Sequence, residues 1–441
     1  MKAAPSPQAE PVADSRAWRV LGSSTFAFTI CFAVWMMFAI LGIPLKKQLN
    51  LTDTEFGLIA AMPVLTGSLA RVPLGIWTDR VGGRIVFFIT MLATIVPIWL
   101  VSYATQLWQF LVLGLFVGFA GASFSVGTPY VARWFPKSRQ GFAMGIFGAG
   151  NSGAALNKFV APVLIVAAGT WTIVPKVYAV AMLVTALLFW MFSASNPAHR
   201  VSGTATVASQ MRVLADPRVL RYAQYYSVVF GGYVGLSLWM PQYYVNQYGF
   251  GIEHAAFLAA CFSLPGGVLR ALGGWLSDRY GAYRTTWAVM WVALACFFLL
   301  SYPPTDFTIH GAHGPIGLHI STGPVFYTAL MFVVGIAMAV GKASVFKFIG
   351  DEYTDNIGAV SGVVGLAGGL AGFVLPILFG LLVDLTGVRT TCFMLMFGAT
   401  VVSLLFMHFS FRPEALAHGS AKLASKVRAA TPALEKTTYS E

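Results

Sequence analysis

Arg71-Val-Pro-Leu-Gly75-Ile-Trp-Thr-Asp79-Arg80-Val-Gly82 and Arg270-Ala-Leu-Gly-Gly274-Trp-Leu-Ser-Asp278-Arg279-Tyr-Gly281 are two copies of one pattern, R-x3-G-x3-D-R-x-G. Every member of the second copy follows its counterpart at one constant offset. A second echo joins Gly141, Gly145 and Gly148 to Gly358, Gly362 and Gly365, again at a constant offset. A chain that repeats itself in this way is built from two related units. Each copy of the first pattern closes a long apolar stretch, so the units read as bundles of membrane helices, with any cargo held between them.

Composition supports the same reading. The 441 residues are 57% hydrophobic and only 10% charged, with a mean hydropathy of +0.73; soluble domains carry about 25% charged residues. Too little polar surface exists to cover a globule in water, so lipid is the solvent for most of the chain. The stretches 25–43, 85–103, 110–132 and 390–411 are almost uncharged, and each is long enough for a helix to cross about 30 Å of hydrocarbon. They do not alternate in polarity as barrel strands do.

Turn residues and charges place twelve spans at 18–43, 56–77, 85–104, 108–132, 141–168, 174–196, 221–246, 253–276, 285–302, 323–348, 357–383 and 390–411. Residues 1–17 read as a disordered cytoplasmic tail, 18–196 as an N-terminal six-helix half and 197–220 as a cytoplasmic linker. Residues 221–411 read as a C-terminal six-helix half and 412–441 as a second cytoplasmic tail. Most Lys and Arg fall on one side of such a bundle, leaving Lys46, Lys47, Lys176 and Arg389 on the other, which puts both termini in the cytoplasm. The expectation is an all-α polytopic protein of the inner (plasma) membrane, with twelve transmembrane helices in two pseudo-symmetric halves.

Several functions are set aside. The net charge of +12 is spread between the spans, not gathered on one face, so nucleic acid is not an expected partner. Cys31, Cys261, Cys296 and Cys392 stand singly without metal-ligand spacing. His310, His313 and His319 share the stretch 303–322, which reads as a solvated loop rather than a metal site. No metal, cofactor or catalytic Ser/His or Cys/His cluster is read, so no enzyme is expected, and a functional monomer is.

No Asp or Glu lies deep within any span, and ionisable residues inside a membrane are costly and usually functional. Arg71 and Arg270 each lie eight residues before the Asp of their pattern, about 12 Å along a helix. Equivalent positions in two pseudo-symmetric halves bring both to one central cavity. Two guanidiniums without a deep carboxylate make a site for a small anion, and the rigid donor fork of Arg suits a planar oxyanion. In the fifth span, Gly145-Ile-Phe-Gly148-Ala-Gly150-Asn151-Ser-Gly153-Ala-Ala-Leu-Asn157-Lys158 contains a formal G-x-G-x-x-G. It lacks the strand before and the helix after that a dinucleotide fingerprint requires. Its glycines instead permit close helix contact and bending, and Asn151 is a hydrogen-bonding group for the anion. Asp79, Arg80, Asp278 and Arg279 read as a cytoplasmic gate, with the pattern's glycines letting helices approach.

The stretch from Gly75 to Arg84 and its counterpart from Gly274 to Gly281 resemble the loop motif of the major facilitator superfamily. The paired arginines and the Asn-bearing fifth span further resemble the nitrate/nitrite porter family, over nearly the whole chain. So do Gly121-Ala-Ser-Phe124, Trp134-Phe135-Pro136 and Gly341-Lys-Ala-Ser344-Val-Phe346-Lys347. The resemblance implies the major facilitator fold and uptake of nitrate, or also nitrite, by alternating access. It implies that Arg71 and Arg270 clamp the anion with Asn151 beside it, and that Phe124 and Phe346 sandwich its flat face. A tyrosine of the seventh span, here Tyr233, would add a hydroxyl. Missing deep carboxylates favour exchange of nitrate for nitrite. Lys158 and Lys342 favour protons as the coupling ion, because burial disfavours an ammonium, and short outer loops resemble the subgroup associated with symport. Nitrate/proton symport is the expectation; nitrate/nitrite antiport and carriage of another small anion, such as a carboxylate, are the alternatives.

Overall fold

The computed structural model describes residues 15–195, 212–353 and 357–410. The expected tails 1–17 and 412–441 and the linker 197–220 therefore lie largely outside the described residues. Within them, the helices form twelve rods. The first half holds α1 (Ser15–Leu49), α2 (Asp53–Leu69 and Arg71–Val81), α3 (Gly83–Val101), α4 (Leu107–Ala132), α5 (Arg139–Ala168) and α6 (Ile173–Phe192). The second holds α7 (Pro217–Tyr226 and Gly232–Tyr248), α8 (Ile252–Val268 and Arg270–Tyr280), α9 (Ala282–Leu300), α10 (Pro324–Glu352), α11 (Ile357–Thr386) and α12 (Thr391–Ser410). The seventh rod starts earlier than its expected span, because Asp216 caps it and Pro217 occupies its first turn.

The repeated pattern has a backbone reason. Gly82 and Gly281 end α2 and α8 with φ of 102° and 85°, a region that favours glycine. Gly75 and Gly274 face open space where a Cβ would stand, so the pattern's glycines do not serve the close helix approach expected of them. That approach falls one residue away: Gly83 sits against Tyr130, and Gly273 against the backbone of Val340.

Breaks cluster at mid-depth. α2 bends by 40° and α8 by 47°, each just before its arginine. In α2 the cause is Pro73, which lacks an N–H and crowds the carbonyl of Leu69. α4 and α5 tighten into 3-10 turns at Gly118–Ala122 and Ala149–Ser152, and α7 widens into a π turn at Ser227–Gly231. Irregular backbone at membrane depth survives only where protein or a cavity shelters it, so these breaks mark the level of a site.

The end of the bundle away from the repeated pattern is closed. Gly57 packs on the backbone of Pro376, and Gly380 on the backbone of Asp53, with no room for a Cβ at either. The Asp384 carboxylate of α11 accepts from Asp53 N (3.0 Å), Thr54 N (2.8 Å) and Thr54 Oγ1 (2.5 Å), so it caps the N-terminus of α2 from the other half. Asp53 in turn accepts from Lys46 Nζ at 2.5 Å and from Gln242 Nε2 at 2.6 Å. Hydrogen bonds to a charged group contribute about 1.5–3 kcal/mol each when buried, less where water competes. Asp384→Ala should therefore raise labelling by an impermeant maleimide of a cysteine placed at Val64, which is fully buried and faces Gly372 of α11, on the order of 5–30-fold. An unchanged labelling rate would show that the carboxylate does not latch this end.

Residues 303–322 are not the plain loop expected of them. β1 (Thr305–Gly311) and β2 (Gly314–Ile320) pair as an exposed antiparallel hairpin. His319 Nδ1 lies 2.6 Å from Asp306 Oδ1, and no group of three metal-ligating side chains forms among the described residues.

Candidate functional site

Arg71 and Arg270 each open the second segment of a bent rod, so each bend aims a guanidinium toward the opposite half. Arg71 is 7% exposed. Its Nη1 donates to Gly365 O of α11 at 3.1 Å, and its guanidinium carbon lies 5.0 Å from the centre of the Phe230 ring in α7. Its Nε finds no acceptor among the described residues. A buried N–H left without a partner costs free energy that a bound acceptor recovers.

Arg270 makes the mirror arrangement. Its guanidinium carbon lies 5.3 Å from the ring centres of both Phe124 in α4 and Phe346 in α10. Gly148 of α5 leaves room for its stem, since a Cβ there would stand 3.3 Å from Arg270 Cδ. The two arginines lie close enough to repel. No carboxylate pairs with either among the described residues; the ion pairs there lie toward the ends of the bundle. The result is a positive, aromatic-walled site contributed by both halves.

The rings expected to sandwich an anion thus flank the Arg270 guanidinium instead, a cation–π arrangement that holds it in place. Tyr233 also differs from its expected role. Its hydroxyl donates to Ser263 O at 2.9 Å, with Asn151 O at 3.4 Å, so it faces backbone carbonyls rather than a cargo. Asn151 donates from Nδ2 to Gly148 O at 2.9 Å and braces the 3-10 turn beside Arg270. Lys342 donates from Nζ to Gly266 O at 2.6 Å, and Lys158 to Ala154 O of its own helix at 3.2 Å.

Tyr226 and Phe230 were missing from the sequence reading. Tyr226 lies beside Arg71. It stacks on Phe230 (5.1 Å, 10°) and meets Phe346 edge-on (5.0 Å, 64°), joining the two arginine cradles. Its hydroxyl has no hydrogen-bond partner among the described residues, which makes it a better donor to a bound anion than Tyr233. The π turn that starts at Ser227 re-aims this stretch, and no residue spacing announces it. Asn157 was missed as well. It donates to Met36 O at 2.7 Å and accepts from Tyr178 at 2.9 Å, bracing the turn at Met36 and Met37 that interrupts α1 between Trp35 and Phe38.

The gate carboxylates pair within their own halves, not across a gate as expected. Asp79 meets Arg133 at 2.5 Å, and Asp278 meets Lys347 at 3.3 Å. Arg279 lies over the rings of Trp275 and Tyr280, and Arg80 is exposed. Neighbouring loops of one half are simply nearer than those of the other.

The sequence profile of the Major Facilitator Superfamily matches residues 24–373. A probable nitrate/nitrite antiporter of Thermus thermophilus, NarK1, is 39% identical over 404 residues, covering 89% of this chain and 91% of its own. The chain belongs to the nitrate/nitrite porter family of the major facilitator superfamily. The porter is also 30% identical to the probable nitrate transporter NarT of Staphylococcus carnosus, covering 89% of this chain and 96% of that one. To the nitrite extrusion protein of Bacillus subtilis it is 29% identical, with 87% and 92% covered. Among solved structures, an inward-facing, occupied bacterial homologue of the human lysosomal transporter Spinster matches with a TM-score of 0.69. It covers 91% of the porter and 98% of that chain at 13% identity, a likeness of fold alone. The porter is a multi-pass inner-membrane protein that transports rather than catalyses.

Proposed function

We propose that the porter carries nitrate and nitrite by alternating access, with the anion held between Arg71 and Arg270 and met by the Tyr226 hydroxyl. The observation that carries this reading is the pair of guanidiniums from opposite halves, Arg71 buried and Arg270 half-buried, with unspent donors and no carboxylate. Relatives named as nitrate and nitrite transporters support the cargo. An anion that bridges the two arginines offsets their repulsion and draws the halves together, which is what a substrate-driven closure requires. Both arginines and all their flanking rings lie on one chain, which supports a monomer as the working unit.

With the basic ends cytoplasmic, uptake works against about 2.3 kcal/mol per charge per 100 mV of membrane potential. We propose symport with protons, carried at Lys158. This lysine has one acceptor, a carbonyl of its own helix, and lines a groove of about 430 Å³ with Glu253 and His254 between the halves. Exchange of nitrate for nitrite is the second reading, favoured by the all-cation site.

Uptake of nitrate into proteoliposomes with an imposed pH gradient, with and without internal nitrite, separates them. Nitrate driven by the pH gradient alone is expected; dependence on internal nitrite would defeat symport. Lys158→Gln should abolish pH-driven uptake while leaving exchange within about twofold, as the clamp is untouched. Movement of formate or oxalate without nitrate would overturn the cargo.

A further inference from the structure

The bend in α8 decides where Arg270 points, yet α8 has no proline to cause it at the position that serves α2. Leu272 stands where the repeat puts Pro73, and it keeps its N–H. Pro265 lies in α8 too, but its missing N–H and its ring act on the carbonyl of Cys261, about two turns before the break at Leu269. Sharp kinks also arise where a side chain enters the helical hydrogen-bond ladder. Lys342 of α10 does so. It is 0% exposed and donates from Nζ to Gly266 O at 2.6 Å. In an unbroken helix that carbonyl belongs to the N–H of Arg270, four residues on.

The ammonium is fixed from a second side. It lies 3.5 Å from the centre of the Tyr233 ring, a cation–π contact inside a desolvated site. Tyr233 is anchored to Ser263 O one turn earlier in α8, and Gly266 lacks the Cβ that would push its ring away. The next residue, Gly267, lies against the backbone of Asn151 and Ser152. One buried cation thus joins α10, α7 and the last turn of α8 before the break, and α5 packs on that same turn.

We propose that Lys342 is a positioning residue: its ammonium, seated on Tyr233, engages the Gly266 carbonyl and holds the α8 bend that aims Arg270 at the anion. The proposal rests on Arg270 as an anion ligand. It separates the two buried lysines by role, with Lys342 a fixed donor of the scaffold. The two halves would then bend by different chemistry, proline in α2 and an inserted lysine in α8.

The test compares Lys342→Met and Lys342→Arg with the unchanged porter. Spin labels at Phe257 and Tyr280, both exposed and on either side of the bend, report its angle once the four cysteines are serine. Full straightening from 47° lengthens their separation by about 3 Å at 1.5 Å rise per residue. Lys342→Met should lengthen it by about 2–3 Å and raise the nitrate KM at least about tenfold, with a smaller change in maximal rate. It should lower pH-driven uptake and nitrite exchange in parallel. Lys342→Arg, which keeps a donor and a charge over the ring, should restore the distance and most of the affinity.

An unchanged distance overturns the proposal, as does a lengthened distance with unchanged KM. Loss of pH-driven uptake alone, with exchange intact, would make Lys342 the coupling group and also overturn it. If Lys342→Met does not insert, Lys342→Gln is measured with the same expected directions. The label distance needs no cargo, so a porter that moves formate and not nitrate would sink the cargo reading while the bend is still tested.

Discussion

Arg71→Lys and Arg270→Lys should each lower nitrate uptake by at least about 100-fold while leaving insertion and melting temperature near those of the unchanged porter. A lysine keeps the charge but loses the planar fork, and with it the paired donors that fit an oxyanion. Charge-assisted hydrogen bonds contribute about 1.5–3 kcal/mol each, so losing two of them accounts for that factor. At Arg270 the lysine also loses the stacking between Phe124 and Phe346. At Arg71 it loses the bond to Gly365 O, one of the ties between the halves. Uptake of labelled nitrate into proteoliposomes measures the effect. Retained uptake in either variant removes that arginine from the site.

Gly57→Leu should block transport by a different route. Gly57 of α2 touches the backbone of Pro376 in α11 across the interface between halves, and not even a methyl group fits there. Overpacking against side chains costs about 1–3 kcal/mol, and backbone yields less than side chains do. The state closed at this end is therefore depleted at least about tenfold, and uptake should fall by a similar factor. Nitrate binding should persist, because Arg71 and Arg270 lie deeper. Rapid maleimide labelling of a cysteine at Val64, buried in the closed state, would accompany the loss. Uptake at the unchanged rate would show that the closure seen here is not a step of the cycle.

Much of the fold was legible because its signals are local. Span length follows from hydrocarbon thickness, and Gly82 and Gly281 announce helix ends through a backbone conformation that favours glycine. The two arginines were legible because an unpaired charge at depth is rare enough to mean something. Tyr226 and Tyr233 show the limit. Both are mid-span tyrosines of α7 in an aromatic-rich stretch, and their different surroundings follow from a π turn between them. The hairpin at 305–320 was missed because glycine, proline and histidine obscure its alternation.

The sequence by itself determined that this protein is two related bundles in a membrane, with one deep arginine from each and no deep acid to neutralise them. Repeat spacing, apolar length and charge cost are properties of short stretches, so they survive without coordinates. Only the tertiary structure decided which donors are already spent. The partner of Arg71 is a carbonyl in α11, the rings of Arg270 come from α4 and α10, and the partner of Lys342 is a carbonyl in α8. Those contacts join residues far apart in the chain, and a hydrogen bond or ring contact acts only over a few ångströms.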